Sequence, residues 1–258
     1  SDPRPESSPA WSPDGRQIAF IRSDPSRSEV VVIPALGGSE RTVAAAAVLN
    51  LGLAWSPDGQ SLLVASAEAQ GTPAGIFAVS LGTGTMKRLT RPPAGAWSGD
   101  VSPALSPDGR TLAFARSLTR SNSEIYVVPL SESLDVEGEP RRLTFESKAS
   151  GQPVFTPDGK RIVFSSGGRG SDSAASLMVI PASASGEKAE WVPGTEGGES
   201  ATFSRQGKLV YLRWLRDENI WRLPMTNGRP GVPERFVAST RRDIDPHFSD
   251  DGRRVIFT

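Results

Sequence analysis

Val101-Ser102-Pro103-Ala104-Leu105-Ser106-Pro107-Asp108-Gly109-Arg110-Thr111-Leu112-Ala113-Phe114 places a tight turn between two apolar strand signals. Proline presets φ at the first central position of a type I turn and aspartate tolerates the second. Glycine then takes the left-handed conformation that closes a hairpin with a bulge. The stretch predicts two short antiparallel strands joined at Ser106-Pro107-Asp108-Gly109.

The turn glycine returns as Gly15, Gly59, Gly109, Gly159, Gly207 and Gly252, at separations of 44, 50, 50, 48 and 45 residues. A period in this range marks a propeller or a solenoid. Each period carries four strand signals. In the first they are Pro9-Ala10-Trp11-Ser12, Gln17 to Arg22, Glu29 to Ile33 and Arg41-Thr42-Val43. The third adds Glu124-Ile125-Tyr126-Val127-Val128 and Arg141-Arg142-Leu143-Thr144 to the opening stretch. The fifth is degenerate, because Ser204-Arg205-Gln206-Gly207 lacks both proline and aspartate and keeps the glycine, whose conformation other residues adopt poorly. The sixth stops after two strands.

Apolar inner strands with a polar-led fourth match a blade whose middle is buried on both faces. The chain is therefore expected to be a single all-β domain over residues 1–258, a six-bladed β-propeller of four-stranded antiparallel blades. Its repeats span about 9–45, 52–92, 101–145, 151–193, 200–238 and 246–258, with five blades complete and the last half present, as in a segment of a longer protein.

Composition narrows the function. The 258 residues hold 29 basic and 29 acidic side chains, a balance without the basic stripe that nucleic-acid binding requires. There is no cysteine and one histidine, which excludes disulfides and thiolate nucleophiles and argues against a zinc site. No apolar run reaches the ~18 residues of a membrane span. Neither a catalytic residue, a metal nor a cofactor is expected, and the chain is expected to be monomeric.

Trp11-Ser12-Pro13-Asp14-Gly15-Arg16, Trp55-Ser56-Pro57-Asp58-Gly59, Leu105-Ser106-Pro107-Asp108-Gly109-Arg110 and Phe155-Thr156-Pro157-Asp158-Gly159-Lys160 resemble the Pro-Asp-Gly, WD-repeat-like propeller repeat of the TolB-like family. The resemblance covers nearly the whole chain and is specific for fold, since these are turn and core residues. It implies a scaffold for protein or ligand binding, a periplasmic or extracytoplasmic setting, and use as the sensory or interaction half of bacterial regulators and envelope proteins. It also implies an alternative, the gating propeller of a prolyl-oligopeptidase-like hydrolase whose catalytic domain lies elsewhere.

Chemistry within the chain has little support. A serine hydrolase needs a nucleophile on a Gly-x-Ser-x-Gly elbow, and no such pentapeptide is present. A sialidase- or lactonase-like propeller enzyme is a further alternative, but Ser106-Pro107-Asp108-Gly109 lacks the spacing of an Asp-box. What remains is surface for a protein segment or a small ligand. Blade connections and the loops between second and third strands emerge on one face, and irregular loops on a rigid scaffold are where recognition tends to sit.

Ser8, Asn50, Asp100, Gln152, Glu199 and Asp245 enter the innermost strands and are expected to ring the channel mouth, with Asp243 and His247 beside them. Trp97 stands in a loop with no repeat counterpart and is the expected binding anchor, with Trp214 as a weaker second. Trp11, Trp55, Trp191 and Trp221 are expected to be packing residues.

Overall fold

The computed structural model describes residues 4–23, 28–46, 48–69, 71–146, 148–167, 175–213, 220–226, 229–237, 246–249 and 253–257. These residues form strands and turns without a helix. They divide into two compact units, Ser1–Arg213 and Trp214–Thr258.

The first unit is a run of antiparallel blades, each built from consecutive strands in sequence order. Blade 1 holds β1 (Glu6–Trp11), β2 (Gln17–Ser23), β3 (Ser28–Pro34) and β4 (Arg41–Ala46). Blade 2 holds β5 (Val48–Trp55), β6 (Ser61–Ser66), β7 (Gly75–Ser80) and β8 (Met86–Arg88). Blade 3 holds β9 (Gly99–Leu105), β10 (Thr111–Ser117), β11 (Ser123–Pro129) and β12 (Arg141–Arg142). Blade 4 holds β13 (Ser150–Phe155), β14 (Arg161–Ser166), β15 (Ser176–Pro181) and β16 (Glu190–Glu196). The fifth repeat contributes β17 (Gly198–Phe203) and β18 (Leu209–Arg213) as a two-stranded sheet.

In the second unit, β19 (Ile220–Arg222) pairs with β22 (Glu234–Val237) around a small hairpin of β20 (Met225–Thr226) and β21 (Arg229–Pro230). A final hairpin joins β23 (His247–Phe248) to β24 (Val255–Ile256).

Hydrophobic burial places the core in the middle strands. Ile21, Leu62, Phe114 and Phe164 on second strands, and Val30, Ile76, Ile125 and Leu177 on third strands, are fully enclosed. Two apolar clusters result, one across blades 1 and 2 and one across blades 2 to 4. First strands of successive blades lie side by side, β1 by β5, β5 by β9, β9 by β13 and β13 by β17, and so form the inner wall.

The repeated turn works through one hydroxyl. In blade 3, Gly109 N–H donates to Ser106 O at 2.8 Å with Gly109 at φ +73°, the expected type I turn with a left-handed fourth residue. Ser106 Oγ accepts from Thr111 N–H at 2.9 Å and donates to Asp108 Oδ1 at 2.5 Å, while Asp108 accepts from Arg110 N–H at 3.0 Å. The same bonds recur around Ser12, Ser56 and Thr156. Hydrogen bonds from Ser12, Ser106 and Thr156, followed by those from the Arg16, Arg110 and Lys160 amides, hold the Asp14, Asp108 and Asp158 carboxyls below their ordinary range. In the degenerate fifth turn the hydroxyl still works, since Lys208 N–H donates to Ser204 Oγ.

Four kinds of joint tie one blade to the next. A Cβ placed on Gly59, Gly109 or Gly159 would stand 3.9, 3.5 or 3.4 Å from the Cδ of Pro13, Pro57 or Pro107, so each turn glycine seats the preceding blade's proline. On the outer side a fourth-strand cation reaches carbonyls of the next blade: Arg41 to Leu81 O, Lys87 to Ser133 O, and Arg141 to Ala182 O and Ala184 O. At the opposite end from the turns, the third strand of one blade meets the entry of the next: Asp100 N–H donates to Ala74 O, Ser123 N–H to Lys148 O, and Gly197 N–H to Ala175 O. A fourth joint lies on the inner wall and is described with the site.

Trp55 packs as expected, nearly buried, its indole N–H donating to Ala10 O of the preceding blade at 3.0 Å. Trp11, Trp191 and Trp221 do not: they are 61%, 49% and 57% exposed. Trp11 occupies the Trp55 position on the first blade, and Trp191 lies on an outer strand.

Ser106→Ala removes the acceptor for Thr111 N–H and the donor to Asp108 in a buried turn, and is expected to cost about 1–2 kcal/mol in chemical denaturation of the chain. Because the turn carboxyls sit below their ordinary values, their contribution is fully present above pH ~4 and is lost as pH falls through the folded-state values. In the variant the Asp108 carboxyl should titrate closer to its ordinary value, which side-chain carbonyl NMR would read.

Candidate functional site

The inner wall carries a feature that repeats in every blade of the first unit. Three residues before the pre-turn position, the backbone enters the left-handed region at Ser8 (φ 51°), Gly52 (φ 101°), Ser102 (φ 54°), Gln152 (φ 51°) and Ser200 (φ 53°). Four of the five are not glycine, and such residues cost of order 1–3 kcal/mol each unless their surroundings hold them. The register explains the geometry. Ser8-Pro9, Ser102-Pro103, Gln152-Pro153 and Ser200-Ala201 each stand as two residues against one aromatic, Phe20, Phe114, Phe164 and Tyr211 respectively. These are β-bulges, and proline is tolerated in a bulge because no ladder N–H is required there.

The bulges also form the inner joint between blades. Ser8 Oγ accepts from Gly52 N–H at 3.3 Å, and Gln152 Oε1 accepts from Ser200 N–H at 2.9 Å. Between them, a Cβ on Gly52 would stand 2.9 Å from Ser102 Cα, so only glycine fits. Ser8 and Gln152, expected at the mouth, thus sit on this belt and hold neighbouring backbone.

Asp100 sits two residues before its blade's bulge and has a different role. It is fully buried and bound bidentately by Arg116, Nε to Oδ1 at 2.6 Å and Nη2 to Oδ2 at 2.9 Å. The guanidinium lies 5.4 Å from the Phe114 ring centroid and 4.9 Å from that of Tyr126, and the two rings stack at 5.9 Å. Burial alone would lower the Arg116 pKa, but the Asp100 hydrogen bonds and charge outweigh it, and the net displacement is upward. Asp100 therefore offers no open oxygen to a ligand and instead fixes the entry of β9.

Blade 1 repeats the arrangement, with Arg22 reaching Glu6 at 2.6 Å and Glu40 at 2.7 Å. Blade 4 has Ser150 opposite Ser166 at this register.

The entry of β9 carries the loop of Trp97. Ala96 is buried beneath it, Trp97 N–H donates to Leu118 O at 3.2 Å, and the Trp97 side chain stays 60% exposed. Trp97, expected from the sequence as a binding anchor, is thus held by its backbone and open at its ring. The structure adds two residues that the sequence reading missed. Phe145, in the connection from blade 3 to blade 4, is also 60% exposed, with the Arg142 guanidinium 4.7 Å from its ring centroid. Arg142 is itself held by Glu124 at 2.7 Å and Thr144 O at 2.6 Å. Asn122, in the loop between β10 and β11, carries a buried Oδ1 that is the one such side-chain atom without a hydrogen-bond partner among the described residues.

Antiparallel order puts these loops at the same end of blade 3, opposite its Pro-Asp-Gly turn. Trp97 and Phe145 stand on either side of it, and the loop of Asn122 touches Trp97 through Leu118.

The other expected residues are placed differently. Glu199 lies on β17 next to the bulge at Ser200 and opposite Leu212. Asn50 lies on β5, and its side chain is outside the described residues, as are Asp243, Asp245 and Trp214 altogether. His247 is exposed on β23 of the second unit. Among the described residues no group of three or more His, Cys, Asp or Glu is disposed to hold a metal ion, and no helix is long and apolar enough to cross a membrane.

A family model described as the TolB beta propeller domain matches residues 2–229. The uncharacterized peptidase YuxL of Bacillus subtilis (strain 168) is 27% identical over 203 residues, which cover 65% of this chain and 30% of that protein. Among solved structures, TolB from Acinetobacter baumannii aligns over 94% of this chain and 57% of its own, with a TM-score of 0.67 and 24% identity. A puromycin hydrolase aligns over 82% of this chain and 34% of its own, with a TM-score of 0.54 and 18% identity. The chain thus spans less than a third of the curated relative and little more than half of the first structural one.

Three substitutions test this architecture by stability. Asp100→Ala leaves Arg116 enclosed without a counter-charge and should cost about 3–5 kcal/mol, while replacing both partners with apolar residues recovers most of the loss. Gly52→Ala drives a Cβ into the Ser102 backbone and should cost about 2–4 kcal/mol. Gly15→Ala, at φ +72° with nothing within 4 Å, should cost only about 1–2 kcal/mol. Equal costs at Gly52 and Gly15 would show that the bulge belt is not a close-packed joint.

Proposed function

The chain belongs to the TolB beta propeller domain family, and from that premise we propose that it is a non-catalytic recognition scaffold that binds a peptide segment at the end of the blades bearing Trp97 and Phe145. The observation that carries this reading is the combination at blade 3: two exposed aromatics on rigid supports, with the unpartnered buried acceptor Asn122 Oδ1 in the loop between them. A buried acceptor left unpaired is costly, on the order of 1–3 kcal/mol, and an incoming backbone N–H would satisfy it once the Asn122 loop moves aside to admit it. Aromatic anchors flanking such a group are the composition of binding hot spots. The segment lies at the mouth of the channel that a propeller encloses, and the setting proposed from the family is extracytoplasmic, within a sensory, regulatory or envelope protein.

The likeness to YuxL, named a peptidase, supports a second reading in which this propeller belongs to a hydrolase and meets its peptide substrate before a separate catalytic domain does. Both readings use the same surface for the same class of ligand. They separate at the parent reading frame, where the second requires a Gly-x-Ser-x-Gly nucleophile elbow.

Panning a random heptapeptide library against the chain tests the surface. Selected peptides should bind at least tenfold more weakly to Trp97→Ala and to Phe145→Ala, and unchanged to Leu36→Ala, an exposed control in the loop between β3 and β4. Peptides insensitive to both aromatics would move the site elsewhere.

A further inference from the structure

The joint between blades 4 and 5 differs from the three before it on the face of the Pro-Asp-Gly turns. At those three, the proline of one turn seats on the glycine of the next. Here Pro157 should seat on Gly207, but no heavy atom lies within 4 Å of the Cβ position of Gly207, which keeps its left-handed φ of +81°. The proline contact made at the other joints is missing at this one. The joint forms a shallow groove of about 480 Å³, in which Pro157 and Phe203 supply apolar surface and Asp158, Arg161 and Arg205 supply charge.

The charges on this groove are unevenly engaged. Asp158 already accepts from Thr156 Oγ1 at 2.6 Å and from Lys160 N–H at 3.1 Å, and those bonds hold its carboxyl below the ordinary range. Arg161 has only a 3.9 Å contact with Glu190, both side chains being more than half exposed, a pairing of little energetic weight. Arg205 has no ion pair among the described residues. Two guanidiniums with free donor capacity beside an aromatic ring and a proline ring suit carboxylates next to an apolar side chain.

We propose that this groove is a docking site for a short acidic segment of a partner protein, its carboxylates meeting Arg161 and Arg205 and an apolar residue lying over Pro157 and Phe203. The site is separate from the Trp97 surface, because the turns and the blade connections emerge at opposite ends of the strands. The degenerate fifth turn acquires a reason on this view. A Pro-Asp-Gly turn would place a second carboxylate where the sequence has Gln206, and a proline where it has Arg205.

The test is fluorescence anisotropy of the chain with the labelled peptide Asp-Glu-Pro-Phe-Glu-Asp at 150 mM salt. Saturable binding is expected, at least tenfold weaker for the double variant Arg161→Glu/Arg205→Glu and about threefold weaker for Arg205→Gln, an exposed change that circular dichroism should show to be folded. The peptides Asn-Gln-Pro-Phe-Gln-Asn and Asp-Glu-Ser-Ser-Glu-Asp should each bind at least tenfold more weakly. Trp97→Ala should bind the acidic peptide unchanged whether or not the Trp97 surface recognises a peptide of its own. Absence of saturable binding, equal binding by the charge-reversed chain, equal binding of the serine peptide, or loss of binding in Trp97→Ala would each overturn the proposal.

Discussion

A glycine at positive φ, reached through a proline and locked by a serine or threonine hydroxyl, is the constraint on which this architecture rests. The hydroxyl accepts from the first amide of the second strand and donates to the turn aspartate, so one side chain closes the hairpin and sets its register. A one-residue slip would exchange the two faces of every following strand. Because the turn is built the same way at Ser12, Ser56, Ser106 and Thr156, the second and third strands of four blades present equivalent apolar faces to their neighbours.

Equivalent faces allow equivalent joints. The proline of one turn on the glycine of the next, the fourth-strand cation on the next blade's carbonyls, the bridge at blade entry and the inner-wall bulge connect each blade chiefly to its successor. Stability in such a structure is close to a sum over repeats and their interfaces. A local departure is then tolerated without loss of the whole, which is how the fifth turn can dispense with proline and aspartate and leave a groove. The same arithmetic lets Arg116 and Asp100 be buried at one blade entry where blade 4 uses serines.

The proposed recognition surfaces lie where the repeat is broken. The loop of Trp97 has no counterpart in the other blades, Phe145 follows a Leu-Thr pair that succeeds the fourth strand in blades 2 and 3, and the cationic groove lies at the degenerate turn. Around them the regular parts supply support: buried Ala96 next to Trp97, and Arg142, held by Glu124, over Phe145. Rigid presentation lowers the entropy lost on binding, which is why exposed aromatics on such supports carry more affinity than the same residues on a mobile loop.

The strand order of the first four blades, the turn geometry and the buried middle of each blade are legible in the amino-acid sequence, because turn chemistry and period-two burial are local properties carried by neighbouring residues; the fifth repeat, read as a complete blade, instead forms separate two-stranded sheets. Trp97 stands out in the sequence for the complementary reason, as the aromatic that no other repeat shares. The bulge belt had a signal that the sequence reading passed over: Pro9, Pro103 and Pro153 stand at one repeat position inside inner strands, where only a bulge or an edge admits proline. Which carboxylate faces solvent and which is buried was decided only in three dimensions. Asp100 reads as a mouth residue until Arg116, 16 positions away, is brought against it by strand pairing. Trp11 and Trp55 share one motif, yet one is bare and the other enclosed, because burial depends on the blade that packs against a residue and not on the residue itself.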